Sequence, residues 1–129
     1  MKHVMPVLVL LFMEGWVSAG AAAAEVPFNP QQFKAAEIAG KPVAVAFHAK
    51  WCSTCREQAA TLAALMGNSE LKALTLYVAD FDRDQALRRS LSVTRPSTIV
   101  VFKGRKEIAR TVGDIQPKSL ATLLKRALT

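Results

Sequence analysis

The chain of 129 residues is poor in the groups that most often carry chemistry, with two cysteines, two histidines and one tyrosine. Multiple disulfide staples are therefore excluded, and the length is enough for one packed core without them. Long hydrophobic runs are also missing. Val4 to Met13 is apolar, but Glu14 ends that stretch far short of the roughly 20 residues a membrane helix needs. Positive charge is in excess, at +7, yet the basic residues are scattered from Lys34 to Arg126. No arginine-rich arm or aromatic–basic stripe marks a nucleic-acid surface, so a solvated basic exterior is the reading. Met-rich segments, internal repeats and low-complexity linkers are absent as well.

What is there begins with a leader. Lys2 and His3 precede the short apolar run, and a small-residue stretch follows from Val17 to Ala24. A basic start, a short apolar core and an Ala-x-Ala site describe a secretory signal peptide over residues 1–24, cleaved after Ala24 or, as a second choice, after Ala19. The mature domain is then residues 25–129, still at +7 because Lys2 and Glu14 cancel. Export places the two cysteines where a disulfide persists.

The remaining chain reads as alternating helices and strands. Asn29-Pro30 opens a helix to about Ala39, closed by Gly40. Pro42 to Phe47 is a continuous apolar run, the pattern of a central strand covered on both faces. A helix follows from Ser53 to Gly67, then a strand over Leu74 to Ala79. Asp82 is expected to cap a helix running to about Leu91. Thr98 to Phe102 and Lys106 to Val112 form a hairpin through the turn Lys103-Gly104-Arg105, and Pro117 opens a last helix to about Leu128. The order α-β-α-β-α-β-β-α gives an α/β fold with a mixed four-stranded sheet sandwiched by helices.

Within that plan the stretch Trp51-Cys52-Ser53-Thr54-Cys55 stands at a helix start directly after a central strand, where chemistry gathers in such sheets. Three readings exist for cysteines three apart: a structural staple, half a metal site or a redox pair. The helix N-terminus stabilises a thiolate on Cys52. Cys55, one turn on, faces inward, so Cys52 is placed to attack and Cys55 to resolve the mixed disulfide. A Cys-x-x-Cys beside a βαβ pattern favours the redox reading.

The segments KPVAVAFHAKWCSTCRE, VADFDRD and IVVFKGRKEIARTVGD together resemble the thioredoxin superfamily over about residues 30–128. The resemblance implies a thioredoxin-like fold and thiol–disulfide exchange by Cys52 and Cys55, with no cofactor beyond that redox-active pair. There are four departures from the family pattern. Ala46 stands where a buried Asp usually assists the resolving cysteine, and His48, where Trp is usual, is a candidate proton carrier. Ser53-Thr54 replaces Gly-Pro, and their hydroxyls are expected to donate to the Cys52 thiolate. Finally, Arg95-Pro96-Ser97-Thr98 puts Ser97 at the family's cis-proline position, with Pro96 one residue early. The amide and carbonyl of Ser97 are expected to pair with an extended substrate, and Arg95 to lie near Cys52.

The expectation is an exported, periplasmic and monomeric oxidoreductase that reduces protein disulfides. It is reset by a membrane or periplasmic redox partner, since the chain has no second cysteine pair. Cys52 and Cys55 are its catalytic residues, with Trp51, Ser53, Thr54, His48, Arg95, Pro96 and Ser97 around them. The rival is a periplasmic protein holding Cu(I) or another soft metal through Cys52 and Cys55, with His48 as an optional third ligand.

Overall fold

The structure, a computed structural model, describes residues 24–129. The expected leader falls almost wholly outside the described residues. A five-stranded sheet forms the centre, in the order β1-β3-β2-β4-β5. Its strands are β1 (Ala24–Pro27), β2 (Pro42–His48), β3 (Thr75–Asp80), β4 (Thr98–Lys103) and β5 (Lys106–Val112). β1 and β2 both pair with β3 in parallel, while β4 runs antiparallel to β2 and to β5. The helices are α1 (Pro30–Ile38), α2 (Ser53–Met66), α3 (Gln85–Ser90) and α4 (Pro117–Lys125), with short 3-10 turns at Ser69–Leu71 and Arg126–Leu128.

Five strands stand where the sequence predicts four. The extra one, β1, has four residues and ends in proline, and its partner Thr75 lies 51 positions on from Ala24. So short a segment carries no alternation to read, and proline is tolerated because β1 lies at the sheet edge. The central strands match the reading of a doubly covered sheet. Val43 to Phe47 of β2 and Thr98 to Phe102 of β4 are all buried.

Side chains alternate across the sheet and build two cores. One face packs Val43, Val45, Phe47, Tyr77 and Phe102 against Phe33 of α1, with Leu87 of α3 at its margin. The other packs Ala44, Ala46, Leu76, Ile99 and Val101 against Leu62 of α2 and Leu120 and Leu124 of α4. Asn29 caps α1 through Gln32 N–H at 3.0 Å. Gly104 turns the β4–β5 hairpin at φ 60°, and a Cβ there would sit 3.0 Å from the Gly40 Cα, so the hairpin tip tolerates no larger residue without movement.

Candidate active site

β2 ends at His48, and the chain crosses Ala49 to Trp51 before α2 begins. Cys52 is the N-cap of α2, with extended backbone (φ −93°, ψ 109°), and its Sγ accepts the Cys55 N–H at 3.1 Å. Cys52 and Cys55 are joined as a disulfide with their Cα atoms 5.2 Å apart. Cys52 is half-buried whereas Cys55 is 1% exposed, so only the outer sulfur can meet a partner. In the reduced state, the helix start and the Cys55 amide both favour a thiolate there.

In the disulfide, the hydroxyls of Ser53 and Thr54 make no hydrogen bond to Cys52 Sγ among the described residues. An N-cap side chain points at the third helical amide, here Cys55, and leaves the first two positions beside rather than in front of the sulfur. Ser53 is exposed and Thr54 half-buried.

Trp51 is 65% exposed yet fixed. Its Nε1–H donates to the Asp82 carboxylate at 2.9 Å, and its ring meets Phe81 edge-on at 6.3 Å. The Arg88 guanidinium lies 3.6 Å from the centre of the Phe81 ring. This corrects the expected role of Asp82 as a helix cap. The N-cap of α3 is Asp84, whose side chain turns away to accept the Asp80 N–H at 2.7 Å, and α3 starts only at Gln85. Asp80 in turn accepts the N–H groups of Asp82 and Arg83. Three alternate aspartates look alike as caps in the sequence, and none caps α3 with its side chain: Asp82 accepts from Trp51, Asp84 from the Asp80 N–H, and Asp80 from the Asp82 and Arg83 amides.

Ser97 is 6% exposed, sits at φ 61° and follows a trans peptide bond, as do all described residues. Left-handed backbone is strained for a residue with a side chain. Three hydrogen bonds hold it. Its N–H donates to the Phe47 carbonyl at 2.9 Å, while its carbonyl accepts Gly113 N–H at 3.0 Å and Gln58 Nε2–H at 3.1 Å. The Phe47 carbonyl also lies 3.9 Å from Cys55 Sγ, which puts Ser97 next to the buried sulfur. The expectation that the Ser97 amide and carbonyl are open to substrate is therefore wrong, because both are spent inside the protein. Pro96 has no N–H to offer, and its carbonyl accepts the Ser97 hydroxyl at 2.5 Å. Arg95 is exposed and engages through its carbonyl, which accepts the Thr98 hydroxyl at 2.7 Å.

His48 is half-buried and faces a cavity of about 30 Å³ beneath Cys55, whose wall also includes Ala46 and Glu25. Among the described residues, no group of three or more His, Cys, Asp or Glu side chains could hold a metal ion. A three-ligand soft-metal set of Cys52, Cys55 and His48 is thus not found among the described residues, and the two sulfurs are joined to each other.

Three residues escaped the sequence reading. Gln58 is 3% exposed and ties α2 to the carbonyls of Ser97 and Asp114. Its signal was a polar residue on the buried stripe, one turn after Cys55. Asp82 reads in the sequence as a cap and not as the acceptor for Trp51, and Glu25 carries no signal outside the strand that holds it.

The thioredoxin family model matches residues 25–126. The thioredoxin of Chlamydia trachomatis is 32% identical over 96 residues, which cover 74% of this chain and 92% of that relative. The thioredoxin of Chlamydia muridarum is 33% identical over 69% of this chain and 85% of its own length. Among solved structures, Trxlp from Edwardsiella tarda superposes with a TM-score of 0.75 at 27% identity, covering 78% of this chain and 98% of that one. With that match running from β1 to the last turn of the fold, and a half-buried sulfur paired to a buried one at the head of α2, the chain belongs to the thioredoxin family of thiol–disulfide oxidoreductases, which act on protein disulfides with no cofactor beyond their own.

Proposed function

We propose that the protein is an exported reductase of protein disulfides, working in the periplasm. The observation that carries the reading is the asymmetry of the pair: Cys52 is accessible and bonded by the Cys55 amide, whereas Cys55 is buried behind it. The reduced Cys52 thiolate attacks a substrate disulfide and forms a mixed disulfide. Cys55 then attacks Cys52 Sγ, and the substrate leaves with two thiols. A membrane electron donor resets the pair, because the compartment is oxidising. The basic leader with its Ala-x-Ala site supports export.

Two measurements test this. Cys55→Ser removes the resolving thiol, and the variant expressed in a periplasm should accumulate substrates bound to Cys52; finding none there rejects the reading. The reduction potential, poised against glutathione, gives the direction. A value near −270 mV, roughly that of thioredoxin, fits a reductant, and one near about −120 mV would make the protein an oxidant instead.

A further inference from the structure

A buried thiol cannot attack until its proton has left. Cys55 Sγ faces the Phe47 carbonyl at 3.9 Å, which can hold that proton in a hydrogen bond but cannot remove it. No carboxyl stands on β2 to do so, because the residue facing α2 there is Ala46. The space this alanine leaves is the cavity beneath Cys55, and about 30 Å³ holds roughly one or two water molecules.

Among the described residues, the cavity is lined, apart from Cys55 itself, by two with ionisable side chains: His48 of β2 and Glu25 of β1. The strand registers explain their meeting. Glu25 is aligned with Leu76 and Ala46 with Val78, so all four project to the face that α2 covers. His48 is aligned with Asp80 on that same face, but the Asp80 carboxylate is engaged by the amides of Asp82 and Arg83. Cys55 is buried, His48 half-buried and Glu25 exposed, so the cavity leads from the sulfur towards solvent.

We infer that Cys55, His48 and Glu25 form a proton relay across this cavity, with the edge strand β1 supplying the carboxylate that the central strand lacks. The inference rests on the exchange reaction proposed above. In the resolving step the Cys55 thiol gives its proton through cavity water to His48, and Glu25 stabilises the imidazolium and passes the proton to solvent. The Cys55 thiolate then forms a bond to Cys52 Sγ as the bond from Cys52 to the substrate sulfur breaks. The substrate leaves as a thiolate and takes a proton from water. Two electrons pass from the dithiol to the substrate disulfide, and an external dithiol restores the protein.

The test uses the reduced full chain and a disulfide-bonded peptide, acid-quenched during a single turnover. Formation of the Cys52 mixed disulfide and its decay are read separately by mass. His48→Gln should leave formation unchanged and slow decay by about tenfold at pH 7, and Glu25→Gln should slow it by about threefold. Both deficits should vanish above about pH 9, where hydroxide deprotonates the thiol directly. Adding Ala46→Asp to a variant that carries both His48→Gln and Glu25→Gln should restore decay at pH 7. Decay at the parental rate across the pH range in both variants would overturn the relay, and so would a deficit that persists undiminished at pH 9.5. A Cys55→Ser variant that traps no peptide on Cys52 would instead remove the reductase reading.

Discussion

The two faces of the sheet are built differently. On the side of α1 and α3 the layer is aromatic and filled, with Phe33 edge-on to Tyr77 at 6.0 Å and to Phe102 at 5.6 Å, and Phe28 closing over both Phe33 and Tyr77. On the side of α2 and α4 it is aliphatic, and the core residues that β2 gives to it are Ala44 and Ala46. The alternation along one strand thus gives Val43, Val45 and Phe47 to the first face and alanines to the second. Large rings interlock the first face, whereas small side chains let α2 approach the second and leave room beneath Cys55. Stability and chemistry are drawn from opposite faces of β2.

Breaking the aromatic layer should have the largest effect on stability. Phe33→Ala should cost about 3–5 kcal/mol in urea unfolding while the folded fraction exchanges disulfides at the parental rate. Ala46→Leu does the reverse by filling the cavity on the other face. Overpacking should cost about 1–3 kcal/mol, and decay of the mixed disulfide should slow at pH 7 because water is displaced. Between the faces lies Ser97. Ser97→Val forces a β-branched residue into left-handed backbone and should cost about 1–3 kcal/mol, whereas Ser97→Gly should change stability by less than about 1 kcal/mol. The smallest effect belongs to the rim of the aromatic face, where Arg110 bonds both Glu107 and the Leu91 carbonyl. The Arg110 hydrogen bond holds the Glu107 carboxyl below its usual value. Its contribution is therefore present above the ordinary carboxylate range and lost as pH falls through the lowered value. The pair is part-exposed, so Glu107→Gln should cost less than about 0.5 kcal/mol at pH 7 and nothing once that carboxyl is protonated.

Much of this architecture was legible in the residues. The run of apolar residues before the cysteines marked a doubly buried strand, Asn29-Pro30 marked a helix start, and Lys103-Gly104-Arg105 marked a hairpin. Each signal is local, and each element forms close to where it was placed. The misses were long-range. β1 forms on the edge that β3 offers, Asp82 accepts from Trp51 instead of capping a helix, and nothing in a serine announces the left-handed backbone that Phe47, Gly113 and Gln58 hold at Ser97. Glu25 belongs to the same class, since its proximity to Cys55 follows from a strand pairing.

One sulfur in the structure has two occupations. Cys52 Sγ starts the redox pair and also caps α2 through the Cys55 amide. A helix cap and a redox couple that share an atom form a thermodynamic cycle. Whatever the cap prefers, thiolate or disulfide, appears both as a difference in folding stability between the two redox states and as a displacement of the potential. For this two-electron couple, about 1.4 kcal/mol of preference equals about 30 mV. Denaturation of the oxidised and reduced forms would therefore gauge the pair electrically, without an electrode.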